Sequence, residues 1–436
     1  MINLFFFSSL AFASLRRRSV ALLLSGMLAL SALAGLLVGE IVPLRHALDL
    51  LNTLYTFLVL AIFILPFRRY ARLREIVAAD QGKLTRLTTV LILIGAATFA
   101  INGFVFYSII TSGIADYELF KNTSFGTEFA YSLPISHSLI SLASLLSPVA
   151  YPLLGLGFYY AHARRGKVSV VCFVLSLNMP LQGFTVFSRS WSVMYLYLLI
   201  AYLWYSIYAY SRRFRRKLVI VAGLMTLPIA VYLVDVTQNR FKTFQVDARS
   251  AVTNPQLYSL FYYYSQWNAN GVTVMSNFYS QDAIQYGGSS NVLLPYFYDL
   301  FSKFAFGLDH HRENEIQMRA RIWPDSYSWK FNGLVANLVF DFGYILTLFI
   351  ALLYASVTRW LAPRSGKTSV VSYLNFGLVV TVPIFSMFGN YFAVLYYNLG
   401  IIYSLMIGSY LTFRLTPVRT RTSRRGTAST QVQVTP

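Results

Sequence analysis

The stretch Ser188 to Lys217, "SRSWSVMYLYLLIAYLWYSIYAYSRRFRRK", decides the fold. From Ser190 to Ser211 it carries no charge. At 1.5 Å per residue a helix of about 20 residues crosses the hydrocarbon core of a bilayer. One end of this run has a single arginine between two serines; the other has five cations in six residues. That asymmetry reads as a membrane-spanning helix with its Lys/Arg-rich end in the cytoplasm.

The pattern repeats along the chain. Apolar runs of spanning length fall near 19–39, 50–67, 87–111, 136–161, 168–187, 191–211, 218–234, 334–358, 369–389 and 391–413. The first fifteen residues, "MINLFFFSSLAFASL", form an eleventh, shorter candidate; they lack the basic start and small-residue cleavage site of a signal peptide. Six basic clusters alternate correctly with these runs: "RRR" at 16–18, "RRYARLR" at 68–74, "HARRGK" at 162–167, "RRFRRK" at 212–217, "RWLAPRSGK" at 359–367, and the tail from Arg414. The expectation is an all-α, polytopic integral membrane protein with 10–11 transmembrane helices and one large structured periplasmic loop. Its parts are an N-terminal membrane region (1–234, seven or eight spans), the loop (235–333), a C-terminal membrane region (334–413, three spans) and a disordered basic cytoplasmic tail (414–436).

Composition agrees. Of 436 residues, 56% are hydrophobic and only 12% charged, too little polar surface for a soluble domain of this length. The net charge of +20 sits in clusters between apolar runs, so it marks membrane orientation and no nucleic-acid partner is expected. The lone Cys172 excludes a disulfide or a cysteine-based metal site within one chain. No phosphate-binding glycine loop and no HExxH motif is present, and no metal or other cofactor is expected.

The insertion at 235–333 differs in kind from the rest. It holds eight basic and eight acidic residues, half of the chain's sixteen acids, together with 21 aromatic residues. "TNPQLYSLFYYYSQWNANG" predicts a helix capped by Asn254, with Pro255 at its first position and Gly271 as its stop. "LLPYFYDLFSKF" at 293–304 predicts a second, and the aromatic content predicts a small core resting on the membrane surface.

The charged groups suggest chemistry. Arg312, Arg319 and Arg321 lie within ten residues of one another, and Arg312 and Arg319 share a helical face. Guanidinium groups clamp phosphate oxygens through paired hydrogen bonds; a solvated helix with a Glu315–Arg319 pair is the plain alternative. Arg189 stands in a tight turn at the outer boundary, against the positive-inside bias, and Arg240 follows the seventh span at the same depth. Such arginines snorkel or meet an anion. Asp341 lies inside the eighth span, where ionisable groups tend to be functional. His311 and Asp325 are candidates for proton transfer. Tyr327, Trp267 and Trp323 could stack on sugar rings or simply sit at the interface. Arginines at an outer boundary beneath an aromatic loop suit a lipid diphosphate carrying a sugar chain.

The run "SYSWKFNGLVANLVFDFGYILTLFIALLYASVTRWL" (326–361) resembles the end of the large periplasmic loop in bacterial oligosaccharide repeat-unit polymerases of the Wzy type. "SRSWSVMYLYLLIAYLW" (188–204) is similar to a Ser-Arg turn opening a span in that family, and "LYSLFYYYSQWNANG" (257–271) to a helix early in its loop. The resemblance implies an inner-membrane, metal-independent, inverting glycosyltransferase acting on polyprenyl-diphosphate-linked oligosaccharides for O-antigen or capsule assembly. On this reading Arg189 and Arg240 would hold the donor diphosphate, and Arg312, Arg319 and Arg321 would bind the acceptor diphosphate or steer the departing one. Asp341, His311 or Asp325 would take the proton. Membrane lipids, a chain-length regulator and a flippase of the same pathway are the implied partners. O-antigen ligases share this layout, and a flippase for the same lipid-linked sugars is the alternative of another class.

Overall fold

Each expected apolar run forms helix. The computed structural model describes residues 2–15, 18–40, 47–71, 73–78, 80–111, 136–185, 189–240, 246–281, 331–389, 392 and 394–412. In chain order the helices are α1 (Ile2–Leu15), α2 (Val20–Val38), α3 (Ala47–Ile64), α4 (Gln81–Thr111), α5 (His137–Leu146), α6 (Ala150–His162), α7 (Gly166–Ser176), α8 (Asn178–Thr185), α9 (Arg189–Ser206), α10 (Arg212–Arg240), α11 (Pro255–Gln281), α12 (Gly333–Leu361), α13 (Val370–Phe385) and α14 (Leu395–Thr412). Among the described residues, eight helical segments are long and apolar enough to cross a membrane, while α1 and α13 are apolar but shorter. The protein is therefore an all-α polytopic membrane protein. The expected second helix of the insertion, 293–304, and the tail lie outside the described residues.

The described residues of five of the six basic clusters are gathered at one end of the bundle, here the basic end. Val20 N–H donates to the Tyr70 carbonyl (3.0 Å), Trp204 Nε1 to the Ser19 carbonyl (3.1 Å), and the Tyr210 hydroxyl to the Phe158 carbonyl (2.9 Å). Two three-residue strands, β1 (Glu75–Val77) and β2 (Lys367–Ser369), pair in parallel there, and Lys367 Nζ meets Glu75 Oε2 at 2.7 Å. This small clasp ties the segment after α3 to the segment before α13. The tail from Arg414 is not among the described residues.

Two spans are broken at mid-course. A 3₁₀ turn, Ser147–Val149, separates α5 from α6, and Leu177 separates α7 from α8. In an apolar interior every polar backbone or side-chain group needs a partner. Here the breaks face each other across α4. Asn102 Nδ2 donates to Asn178 Oδ1 (2.7 Å) and to Ser147 Oγ (3.1 Å), Asn178 Nδ2 donates to Thr98 Oγ1 (2.6 Å), and the Tyr396 hydroxyl donates to the Ser147 carbonyl (2.9 Å). All four side chains from α4, α8 and the turn are buried.

Helix α11 corrects two expectations. Asn254 does cap it, its Oδ1 accepting from the N–H groups of Gln256 (3.0 Å) and Leu257 (3.1 Å), with Pro255 first in the helix. Gly271 does not end it; the helix continues to Gln281. Nor does it rest on the bundle's surface, because it packs between α2, α3 and α12 as part of the main core. Ser31 Oγ of α2 donates to the Tyr264 carbonyl at 2.7 Å. Gly271 has another use: a Cβ there would stand 2.6 Å from the Asn332 carbonyl oxygen, so the missing side chain lets the start of α12 press against α11.

Gly271→Ala is therefore expected to lower stability by about 1–3 kcal/mol, the usual cost of overpacking. Gly223→Ala, where a Cβ meets nothing within 4 Å, is expected to be neutral or stabilising by about 0.5–1 kcal/mol. Unfolding of the two variants side by side in the same detergent checks the contrast.

Candidate functional site

At the end opposite the basic clusters, four elements enclose an aromatic cavity of about 220 Å³. Ser190, Trp191 and Val193 come from the start of α9, Tyr263 from α11, Phe331 from the segment entering α12, and Phe385 from the end of α13 with Phe388, Gly389 and Val394 from the connection to α14. The walls are built ring on ring. Tyr263 meets Phe331 edge-on at 4.7 Å, Phe331 meets Phe388 at 5.3 Å, and Trp191 meets Tyr396 at 4.2 Å. Ligand pockets usually enclose about 300–1,000 Å³. At about 220 Å³ this one lies below that range.

Three of the sequence segments singled out above meet at this cavity. The Ser-Arg-Ser turn contributes Ser190, "LYSLFYYYSQWNANG" contributes Tyr263, and the re-entry segment contributes Phe331. Arg189 is the first residue of α9, adjacent in sequence to the wall residue Ser190. A helix start favours anions through its exposed N–H groups. Arg240 is the last residue of α10. His311, Arg312, Arg319, Arg321, Trp323, Asp325 and Tyr327 fall outside the described residues.

Two candidates are placed elsewhere by the packing. Trp267 is 3% exposed; its Nε1 donates to Ser31 Oγ at 2.8 Å and its ring packs against Phe7. It braces α11 against α2 and offers no open face to a sugar. Asp341 is wholly buried in α12 and is not part of the cavity wall. The structure thus sets Asp341 in the helix packing and apart from this cavity.

Near Asp341 the helix breaks, with Gly343 at φ 68°, ψ 178°, a conformation open to glycine alone. The break joins a buried polar network that the sequence reading did not identify. The Tyr344 hydroxyl donates to Asn52 Oδ1 (2.8 Å), Asn52 Nδ2 to Ser276 Oγ (3.0 Å), and Ser276 Oγ to Asp49 Oδ1 (2.8 Å). Tyr55 donates its hydroxyl to the Tyr344 carbonyl, just beyond the break. The signal was present: Asp49 and Asn52 stand one turn apart at the start of an apolar run. Asn52→Leu removes the centre of this network, with an expected loss of about 1–3 kcal/mol for the groups stripped of a partner. Equilibrium unfolding that shows no loss would assign the network no structural weight.

The segment after α10 returns to the end of α2. Ala251 N–H donates to the Leu37 carbonyl at 2.8 Å. Arg249 shapes this turn around Asp247, donating from its guanidinium to Oδ2 (2.7 Å) and from its backbone N–H to Oδ1 (2.8 Å). The guanidinium bond first, then the backbone bond, hold the Asp247 carboxyl down at about 2. A depressed folded-state pKa stabilises above the unfolded value near 4, and that contribution is lost as pH falls from about 4 to 2. Exchange of the Ala251 amide, corrected for intrinsic rates, is expected to stay constant above that window and to rise within it. Asp247→Asn should show the faster exchange already at pH 6.

Comparison of the chain with protein-family models, with curated proteins and with solved structures finds no match.

Proposed function

We propose that this protein is a membrane glycosyltransferase that polymerises polyprenyl-diphosphate-linked oligosaccharide repeat units at the face opposite its basic clusters, the periplasmic face of a bacterial inner membrane. The observation that carries the reading is the convergence of the Ser-Arg turn, the α11 aromatics and the α12 re-entry segment on one aromatic cavity. A substrate with a lipid tail, an anionic head and a sugar chain needs an apolar wall, a cation and a boundary position together, and α9 begins at that boundary with Arg189. In the reaction the acceptor hydroxyl attacks the donor's anomeric carbon. The bond from that carbon to the diphosphate oxygen breaks, and the electron pair leaves with the prenyl diphosphate. The proton passes to a base, His311 or Asp325 of the insertion. Charge gathering on the departing diphosphate is met by Arg189 and Arg240, with Arg312, Arg319 and Arg321 contributed by the insertion.

A second reading is a flippase for the same lipid-linked sugars. Broken helices with buried polar groups, such as those at Ser147, Leu177 and Gly343, recur in transporters. The polymerase reading is preferred because cations gather at the helix ends and the described spans hold few ionisable groups.

Purified protein incubated with a polyprenyl-diphosphate-linked repeat unit is expected to yield a ladder of lipid-linked chains and free lipid diphosphate. Arg189→Ala is expected to reduce chain extension at least a hundredfold, about 3 kcal/mol of transition-state stabilisation, while still inserting normally. Unchanged polymer length in that variant removes Arg189 from the mechanism. Absence of any ladder with native substrate turns the assignment to ligation or transport.

A further inference from the structure

Behind the aromatic cavity, where α11, the start of α12 and the end of α13 meet, lies a second and much smaller cavity of about 10 Å³. Asn268, Gly271, Asn332, Gly333 and Ser386 line it, with Thr56 of α3. The junction is tightly made: Leu334 N–H donates to the Ser386 carbonyl (2.7 Å), and Asn270 Nδ2 donates to the Phe331 carbonyl (3.1 Å). Against this background two groups stand out. Asn268 is 9% exposed and Asn332 5% exposed, and the Oδ1 atom of each is fully buried without a hydrogen-bond donor among the described residues. Asn332 precedes α12 in the capping position, yet its side chain makes no capping bond.

A buried carboxamide oxygen without a donor is costly, and two at one cavity make a shared cause the simpler account. The guest must be small, must donate, and must serve two acceptors. A cation would need five or more oxygen ligands, more than these two amides supply. One water needs two to four polar partners and a cavity of this scale. We infer that a single structural water binds here, donating one hydrogen to Asn268 Oδ1 and the other to Asn332 Oδ1. It pins the α12 re-entry segment, and with it Phe331, to α11, so it fixes the back wall of the aromatic cavity. The inference rests on the local geometry and not on the glycosyltransferase reading.

The test is a double-mutant cycle on the full-length protein in lipid nanodiscs, using Asn268→Leu, Asn332→Leu and the pair. A bridging water makes the two changes non-additive: each single variant is expected to lower the unfolding midpoint by about 2 °C, and the double variant no further. Midpoints that rise would mean each leucine relieves an isolated buried oxygen, and the inference fails. Additive losses would mean two independent sites, and it fails equally. A high-resolution map of the wild-type protein gives a reading independent of variant folding. A density peak within hydrogen-bond distance of both oxygens, equal in sodium and choline buffers, supports the water. A peak seen in sodium alone, or none, overturns it.

Discussion

The carbonyl of Asn332 occupies the space where a side chain on residue 271 would begin, and the seating of α11 against α12 depends on that contact. Because Gly271 has no Cβ, α11 and the start of α12 touch backbone to backbone. The approach draws α11 into the bundle between α2, α3 and α12. It also sets Tyr263 opposite Phe331, and so two walls of the aromatic cavity. At the same junction Gly333 adopts φ +75°, and a Cβ there would crowd the Ser386 carbonyl and the Trp267 ring. The segment linking insertion to membrane body is thus held by shape at a point where lipid offers no hydrophobic drive for helix association.

A second constraint is the satisfaction of polar groups in an apolar interior. Where spans break, buried polar side chains bond one another: Asn102 with Asn178 at one pair of breaks, Tyr344 with Asn52 at the kink of α12. At the basic end, the buried Tyr202 hydroxyl accepts from Gly377 N–H (3.1 Å) and reaches the Leu374 carbonyl (3.2 Å), coupling α9 to α13. Such bonds are modest singly, yet leaving their members unpaired costs more than the bonds return. They therefore select one packing among the many that apolar faces alone would permit.

The two constraints bear on the proposed chemistry in different ways. Glycine contacts bring rings together to form a cavity without carboxylates in its described wall. The buried acids, Asp49 and Asp341, belong instead to the interior of the bundle. In the proposed reaction the cavity holds substrate while proton transfer falls to the insertion, a division of work that follows from excluding ionised groups from lipid.

The sequence by itself determined the spans, the gathering of basic clusters at one end, and the Asn254 cap, because hydrophobic length, charge asymmetry and capping chemistry are local properties. It also singled out the three segments that line the cavity, although not the fact that they meet. Tertiary structure alone decided the rest. Gly271 read locally as a helix stop, and only the Asn332 backbone beside it reveals a close approach. Trp267 read as a sugar platform or an interface residue, and only the packing shows Ser31 and Phe7 enclosing it; likewise only the packing shows Asp341 buried within α12. Asn52, Ser276 and Tyr344 are ordinary residues far apart in sequence. Their meaning arises where three helices bring them within hydrogen-bond distance, which no single helix encodes.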